Sequence, residues 1–393
     1  MDVGFDGGFY ATKAVSGDRV SHFPSFATKP AESLFSLNGH TMVIIASEHG
    51  RYLVGDEAIK KGRTGARKES SAWIMSREYL SLFYTALSDL TNANQVTVNL
   101  VAGLPLADFA RDRATLRDRL LGTHRFTREG RAGQVIKVER VTLVPQAWGP
   151  VLAGLLDDTG KVVQPELVKQ KVAVLDVGGH TVNYLSVDGL SDIPSETRGT
   201  ERGAWNVVRT LRDWLDANHP GLSRLPDHKL MSAIVEGVIF DAGEPVDLRP
   251  VVKDIVDDIG QEIVDTARQY WGADAATFRS VIVCGGGAHL WGAHVKRAFR
   301  QAVILDKPEL ANARGFYRFA ANQMLDKALV CTLRTNGARG CLSPALVAQS
   351  GTVPDQLFPE PLPPWFEEPG SPELFSPPEP PWSCCGSCCS SCC

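Results

Sequence analysis

Cysteine is scarce in most of this chain: Cys284 is the single cysteine of the first 330 residues, although the 393 residues contain nine. One thiol cannot form an internal disulfide, and a body without disulfides is typical of a reducing compartment. No run of about 18 apolar residues is present, which argues against a transmembrane helix. Residues 1–4 include neither the basic nor the apolar region of a secretory signal. We therefore expect a cytoplasmic protein with no membrane partner.

The chain also has no large excess of positive or negative charge, because 41 Lys and Arg residues nearly balance 45 Asp and Glu residues, for a formal net charge of −4. Proteins that bind nucleic acid directly usually carry a basic excess, so we expect no direct nucleic-acid partner. Two phosphate-binding motifs are absent as well. No Gly-x-x-x-x-Gly-Lys-[Ser/Thr] occurs, which excludes a Walker P-loop. No Gly-x-Gly-x-x-Gly follows a strand pattern, which argues against a Rossmann dinucleotide site.

Residues 331–393 differ in composition from the rest of the chain and contain half of its 24 prolines. Residues 354–382 are rich in Pro, Glu, Phe and Trp without a regular pattern, which predicts a disordered or polyproline-like tail. The last ten residues contain six cysteines with Cys-x-x-Cys spacings. Zinc binding, lipidation and intermolecular disulfides are open roles for them. A low-complexity extension outside the fold is the interpretation that we favour.

Strand and helix patterns alternate through the body of the chain. Short apolar runs predict strands, and apolar residues at helical spacing predict helices. This succession favours an α/β fold in layers. Two blocks that each open with a strand and Asp-x-Gly suggest an internal duplication. The predicted strands are 3–5, 42–47, 52–54, 96–102, two strands within 134–144, 172–175, 183–187 and 280–283, and the predicted helices are 78–90, 107–121, 203–217, 226–237, 251–271 and 308–326.

Three glycine-rich turns each follow a predicted strand. Glycine allows the backbone to approach a phosphate and to take positive φ, so that successive N–H groups can point at the anion. Lys13 can supply a cation to a phosphate, and Asp6 and Asp176 end strands where carboxylates can hold the waters of a Mg²⁺ ion. Each turn alone is a weak signal, and the ordered set is the stronger one. The turns are Asp6-Gly7-Gly8-Phe9-Tyr10-Ala11-Thr12-Lys13, Asp176-Val177-Gly178-Gly179-His180-Thr181 and Gly285-Gly286-Gly287-Ala288.

This ordered set resembles the turns of the actin-like ATPase superfamily, which includes actin, sugar kinases and DnaK-type chaperones. Residues 1–328 are most similar to the bacterial ParM/StbA plasmid-segregation proteins and to related archaeal and phage actin-like proteins. Two registers of the first turn are open, beginning at Asp6 or at Asp2, and we prefer Asp6 because a strand precedes it. Tyr10 and Ala11 depart from the small and polar residues usual in the family. Further segments that carry the resemblance are Phe23-Pro24-Ser25, Tyr52-Leu53-Val54-Gly55-Asp56-Glu57-Ala58, Gly103-Leu104-Pro105 and Ala311-Asn312-Ala313-Arg314-Gly315-Phe316.

The resemblance implies two α/β domains of the actin-like, ribonuclease H-like type that flank a nucleotide cleft. Domain I would comprise residues 1–150, completed by a helix at 308–328, and domain II would comprise residues 160–307. Mg-ATP would lie between them, with GTP as the other candidate nucleotide. The residues implied to bind it are Gly7, Gly8, Thr12 and Lys13 of phosphate-1, Gly178, Gly179 and Thr181 of phosphate-2, Gly285, Gly286 and Gly287 of the adenosine motif, and Glu201 and Arg202 at the ribose or base.

Gln146 occupies the position at which the family carries a Glu or Gln that orients the attacking water. A neutral amide positions water but is a poor base, which suits a slow NTPase. Gln146, Asp6 and Asp176 are therefore the predicted catalytic residues, with Asp6 and Asp176 also contacting Mg²⁺ through water. The resemblance implies a filament-forming ATP hydrolase that segregates plasmid or phage DNA through a DNA-bound adaptor protein. A small-molecule kinase or phosphatase and a weakly hydrolysing scaffold are the alternatives.

Overall fold

The computed structural model describes residues 1–30, 42–61 and 71–322. The predicted tail at 331–393 and the end of the predicted helix at 308–328 lie outside these residues. Within them, no helix is both long and apolar enough to cross a membrane.

The strands are β1 (Asp2–Gly7), β2 (Ala11–Ser16), β3 (Arg19–Pro24), β4 (Ala27–Thr28), β5 (Val43–Ser47), β6 (Gly50–Val54), β7 (Gln95–Leu104), β8 (Gly122–Arg128), β9 (Gln134–Pro145), β10 (Lys171–Val177), β11 (Val182–Asp188), β12 (Ser191–Asp192), β13 (Arg198–Thr200), β14 (Val238–Asp241), β15 (Glu244–Asp247), β16 (Val281–Cys284) and β17 (Ala302–Ile304). The helices are α1 (Asp56–Lys61), α2 (Arg77–Leu90), α3 (Leu106–Leu120), α4 (Trp148–Leu155), α5 (Trp205–Asn218), α6 (Asp227–Glu236), α7 (Arg249–Trp271), α8 (Ala288–Ala298) and α9 (Ala311–Ala321).

Two main sheets share one internal order. The nine-stranded sheet has the order β3-β2-β1-β7-β9-β8-β5-β6-β4. The six-stranded sheet has the order β12-β11-β10-β16-β17, with β13 paired to β11. In each sheet an antiparallel hairpin, β1-β2 or β10-β11, is followed by two parallel neighbours, β7 and β9 or β16 and β17. This repeated order agrees with the predicted internal duplication.

One strand prediction was wrong. Residues 134–144 lie in the single long strand β9 rather than in two strands, and its antiparallel partner β8 was not predicted. The apolar alternation of β9 breaks at Glu139 and Arg140, which are both exposed. Opposite them the register shifts, because Val98 pairs with Val138 whereas Asn99 pairs with Arg140. Glu139 is therefore the extra residue of a β-bulge, and a bulge interrupts the pattern without ending the strand.

Helices α4 and α9 pack against the nine-stranded sheet on the face opposite α2 and α3. Their closest approach is at two glycines: a Cβ on Gly315 would lie 1.8 Å from the carbonyl oxygen of Gly149. Gly4 allows β1 to lie equally close to α9, since a Cβ added at Gly4 would lie 2.1 Å from the carbonyl oxygen of Ala313. These contacts leave no room for side chains, and they bring the first turn of α9 close to the end of β1.

The buried histidine of β8 makes the stability of this half dependent on pH. His124 Nε2 donates to the Leu120 carbonyl over 2.9 Å, so Nδ1, 3.3 Å from the Tyr84 hydroxyl, is the acceptor of the neutral ring. Burial lowers the pKa of His124 below its usual 6.5. The unfolded state therefore binds the proton more readily, and the contribution of neutral His124 is complete above about pH 6.5 and declines below it.

We expect the free energy of unfolding to fall by up to about 1.4 kcal/mol per pH unit below pH 6.5 on account of this one group. Denaturant unfolding of the wild type and of His124→Gln at several pH values measures the effect. The variant retains a donor for the Leu120 carbonyl but does not titrate, so its pH dependence should be shallower. Equal slopes for the two proteins would contradict the assignment.

Candidate functional site

A cavity of about 350 Å³ lies where the carboxyl ends of the parallel strands of the two sheets face each other. In both sheets these ends follow from the strand order, because β1, β7 and β9 run in one direction, as do β10, β16 and β17. All three predicted glycine turns reach the cavity. The predicted site residues that line it are Asp6, Gly7, Gly8, Lys13, Gln146, Asp176, Gly178, Gly179, Thr181, Gly285 and Gly286.

Asp6 stands at the end of β1 and is almost fully buried, with 3% of its surface exposed. The Nε2 of Gln146 donates to its Oδ1 over 2.6 Å, and Lys13 Nζ lies 3.4 Å from its Oδ2. Lys13 is also the cross-strand neighbour of Asp6 in the β1-β2 pair. Asp2 lies outside the cavity lining, where its Oδ1 accepts a hydrogen bond from Asn99. The geometry thus favours the register that begins at Asp6.

Asp176 holds the equivalent position at the end of β10 and is also buried. Its Oδ2 accepts hydrogen bonds from Asn312 over 3.0 Å and from Asn183 over 3.3 Å. Burial, and next the negative charge of Asp6, raise the pKa of Asp176. Burial, and next the charge of Asp176, also raise the pKa of the neighbouring Cys284 thiol. A thiol with a raised pKa in apolar surroundings is unreactive, so Cys284 is a residue of the core.

The glycines of the three turns differ in whether their main-chain N–H group already has a hydrogen-bond acceptor. Gly178, Gly285 and Gly287 donate to the carbonyls of Thr181, Pro308 and Val177, so their N–H groups hold the turns in shape. In the described part of the chain, the N–H groups of Gly8, Gly179 and Gly286 have no acceptor. Each of these three glycines lines the cavity. One N–H group per turn is thus available to an anion bound there.

The first two turns meet across the cavity. A Cβ on Gly179 would lie 2.4 Å from the Cβ of Tyr10, so the bulky Tyr10 of the first turn packs directly on the glycine of the second. The ring of Phe9 lies 5.3 Å from that of His180, and 6.5 Å from the stacked ring of Trp73. Aromatic contacts therefore close one side of the cavity between the two halves of the protein.

Four predicted nucleotide-binding residues are not part of the cavity lining. Thr12 is buried, and its hydroxyl lies 2.9 Å from that of Ser25, which in turn donates to the Gly8 carbonyl. Gly287 contacts Val177. Glu201 and Arg202 are exposed, and Arg202 forms an ion pair with Glu262 over 2.9 Å. Thr12 and Gly287 therefore shape the turns from behind, and the predicted contacts of Glu201 and Arg202 stay predictions.

Several residues of the cavity were not predicted from the sequence. Asn312 links three parts of the site, because its Nδ2 binds Asp176 and its Oδ1 accepts the Ala147 N–H over 3.1 Å. Asn183 does not line the cavity but donates to Asp176 from behind it, and only its polar side chain within an apolar strand signals a role. Tyr79, Trp73 and His22 reach the cavity from elements with ordinary strand or helix patterns. No local signal in the sequence assigns them to a site.

A histidine–glutamate pair lines the cavity beside the third turn. His289 Nε2 lies 3.1 Å from Glu309 Oε2. This hydrogen bond raises the pKa of His289 and lowers the pKa of Glu309. His22, on the other sheet, is affected differently, since burial and the charge of Lys13 lower its pKa. The pair therefore links α8 to the residues just before α9, and the link is ionic when His289 is protonated.

Comparisons with known proteins agree on one class. Residues 4–149 match the family model for the N-terminal domain of actin-like proteins, and residues 174–297 match the model for the C-terminal domain of the archaeal MreB-like actin homologue. A comparison with curated proteins found no match. With the strand order and the cavity between the two sheets, these matches define an actin-like fold.

Solved structures with this fold are similar over nearly their whole length. A ParM filament from Clostridium botulinum is 24% identical with a TM-score of 0.70, and the match covers 81% of this chain and 98% of that one. The archaeal actin homologue Ta0583 in complex with ADP is 20% identical with a TM-score of 0.65, and the match covers 82% and 99%. This chain therefore has an actin-like fold, which is similar to that of ParM.

Proposed function

We propose that this protein is an actin-like ATPase that binds Mg-ATP in the cavity between its two sheets and polymerises in that state. The observation that carries the proposal is the pair of equivalent strand ends at one cavity. Asp6 near the end of β1 and Asp176 near the end of β10 are both buried there, and each precedes a glycine turn with an available N–H group. The ADP complex of the similar archaeal homologue and the ParM filament support nucleotide binding and assembly, respectively.

The residues of the cavity suit a Mg-nucleotide. Asp176 has a raised pKa because it is buried beside Asp6, and a cation bound between them would relieve that repulsion. No group of three or more His, Cys, Asp or Glu side chains in the described ranges could hold a metal by itself. A Mg²⁺ ion would thus take its other ligands from water and phosphate, as it usually does with nucleotides. Gly286 adds open space where a side chain would stand.

The protein groups divide the work of phosphoryl transfer. Bound Mg²⁺ would neutralise charge on the β- and γ-phosphates. Gly8, Gly179 and Gly286 offer N–H groups to phosphate oxygens, and Lys13 offers a cation. Gln146 uses Nε2 to bind Asp6, which leaves its Oε1 to accept a hydrogen bond from the attacking water. An amide orients this water without removing its proton, so we propose slow hydrolysis.

Gln146→Ala is expected to lower kcat about 100-fold with little change in KM, because it removes the group that positions water but no phosphate ligand. Phosphate release at saturating Mg-ATP measures the rate. Gln164→Ala, which changes an exposed glutamine outside the cavity, is the matched control. If hydrolysis promotes disassembly, filaments of Gln146→Ala should also persist longer in light scattering. An unchanged kcat would remove Gln146 from the mechanism.

We further propose a cytoplasmic role in moving plasmid or phage DNA. The mixed surface charge and the absence of a basic excess favour an indirect link to DNA, through an adaptor protein that binds the filament. ATP-dependent pelleting, followed by electron microscopy of the pellet, tests assembly. A protein that hydrolyses ATP but never pellets would contradict the cytoskeletal role.

A small-molecule kinase is the second candidate. The observation that favours it is a pair of further carboxylates, Asp108 and Asp112, in the cavity lining, since a kinase needs a carboxylate base near the transferred phosphate. Both of them bind Arg111, over 2.5 and 2.8 Å, so one oxygen of each carboxylate is already held by the guanidinium group. Transfer of labelled phosphate from ATP to an acceptor, without ATP-dependent sedimentation, would establish this alternative.

A further inference from the structure

Two surfaces on different halves of the protein each expose a pair of large apolar side chains. The first, here called the acidic surface, is residues 235–249, where Val235 and Phe240 are 63% and 62% exposed. The second, here called the basic surface, is Met75 with residues 113–125, where Met75 and Leu121 are 50% and 45% exposed. Exposed apolar side chains that occur together, rimmed by charge, are typical of contact sites between proteins.

The two surfaces carry opposite charge. Residues 235–249 contain four carboxylates and one arginine, for a net charge of −3. Residues 113–125 contain four arginines and one aspartate, for a net charge of +3 with histidine neutral. Complementary charge of this kind steers association and sets the register of a contact. The charged residues are Glu236, Asp241, Glu244, Asp247 and Arg249 on the acidic surface, and Arg113, Arg117, Asp118, Arg119 and Arg125 on the basic surface.

Both surfaces are built on ordered elements. The acidic surface is the end of α6 and the β14-β15 hairpin, in which Phe240 is paired with Pro245. On the basic surface, Arg119 donates to the Ser76 carbonyl over 2.7 Å, and its Nη1 lies 4.0 Å from the sulfur of Met75. Arg119 thus joins Met75 and Ser76 to the end of α3. Met75 therefore lies beside the C-terminal end of α3, which Leu121 follows directly.

We propose that the acidic surface of one copy docks on the basic surface of the next copy in a filament. This inference rests on the proposed function, because it names the contact through which the protein would polymerise. The two surfaces are different and lie on different sheets, so the contact is head-to-tail. A head-to-tail contact whose rotation does not close generates an open polymer. Phe240 is the apolar anchor, and the charges align it with Met75 and Leu121.

Charge reversal on each side separately, and then together, tests the pairing. Variant A carries Arg117→Glu and Arg125→Glu, and variant B carries Glu236→Arg and Glu244→Arg; all four side chains are exposed. Each variant alone would bring like charges together, so ATP-dependent pelleting should be lost. An equimolar mixture should pellet again as an alternating polymer, because every contact then joins opposite charges. The control, Asp188→Arg with Asp192→Arg, reverses exposed carboxylates elsewhere and should pellet as the wild type does.

Phe240→Ser tests the anchor without changing charge. We expect it to raise the critical concentration for assembly about tenfold or more, since truncating an aromatic anchor at the centre of an interface costs at least that much. Val20→Ser, at an exposed valine outside both surfaces, is the matched control. The rate of ATP hydrolysis by unassembled protein should be unchanged in all of these variants.

The outcomes separate this inference from the proposed function. Wild-type protein that binds no Mg-ATP and never pellets would contradict the proposed function itself. If the wild type pellets, and variant A and variant B each pellet by themselves as well, the proposed function stands and the pairing of the two surfaces is overturned. Loss of assembly in variant A, with Phe240→Ser and variant B unaffected, would mean that another partner occupies the basic surface. The acidic residues 340–393 of this chain, which contain no Lys or Arg, would then be tested by truncation.

Discussion

Asp176→Asn should reduce Mg²⁺-dependent ATP hydrolysis by at least about 100-fold, a loss typical for a group that stabilises charge in the transition state. The variant removes the carboxylate at the end of β10 but retains its shape and its polar contacts with Asn183 and Asn312. Phosphate release in the presence of Mg-ATP measures the rate. The rise in melting temperature that Mg-ATP produces in the wild type should disappear at the same time.

Nucleotide-free Asp176→Asn should nevertheless be at least as stable as the wild type. The pKa of Asp176 is raised in the folded protein, so its ionised form weakens the fold at neutral pH. This penalty is present above the raised pKa and disappears as the pH falls toward the pKa of the unfolded carboxyl group. The melting temperatures of the two proteins should therefore converge in acid. A destabilised apo variant would mean that the carboxylate serves folding rather than the ligand.

Asp188→Asn is the matched control for this experiment. Asp188 lies at the exposed end of β11, which is paired with β10, so the substitution is chemically identical but outside the cavity. We expect its hydrolysis rate and its response to Mg-ATP to equal those of the wild type. Wild-type turnover in Asp176→Asn would exclude Asp176 from the site.

Gly315→Ala should lower the free energy of unfolding by about 3 kcal/mol, the upper range for overpacking a close contact. Inside a helix this substitution normally stabilises by up to about 1 kcal/mol. Here the added Cβ would lie 1.8 Å from the Gly149 carbonyl oxygen, which is backbone and cannot turn aside. Helices α4 and α9 must then separate, so Asn312 in the first turn of α9 should lose its position against Asp176.

Denaturant unfolding measures this effect, and Gly154→Ala is the matched helical control. Gly154 lies in α4, and a Cβ there would meet only the end of the Leu167 side chain at 3.3 Å. Its substitution should change the free energy of unfolding by about 1 kcal/mol or less in either direction. Equal effects at Gly154 and Gly315 would show that the close approach of α4 and α9 is not a determinant of stability.

The local elements of this protein were largely predictable from its sequence. The helical spacing at residues 78–90 corresponds to α2, and the apolar run at 172–175 lies in β10. Local patterns succeed at such segments because one face or both faces of the element are buried, and burial imposes periodicity. The pattern failed at β9, where a bulge at Glu139 shifts the exposed positions by one residue. A bulge depends on the neighbouring strand, which a local pattern does not contain.

The candidate site divides in the same way. Asp6, Asp176 and the glycines could be assigned to one candidate site because each aspartate ends an apolar run and precedes a glycine turn, and the backbone conformations of such turns limit the residue types that can stand there. Asn183 and Asn312 were not assigned to the site, although both contact Asp176. They act through side chains that are common in other settings. Asn312 is more than 100 positions from Asp176 in the chain, so no local pattern could place the two side chains together.

By itself, the sequence determined the α/β class, the repeated strand-Asp-x-Gly blocks and the glycine turns, because these depend on interactions between residues close in the chain. Only the tertiary structure decided that β1 and β10 end at one cavity, and that Gly8, Gly179 and Gly286 have available N–H groups. It also decided that the acidic and basic surfaces lie on different halves. Those properties depend on how sheets and helices pack at close range, where the absence of a single Cβ, as at Gly315, sets the distance between elements.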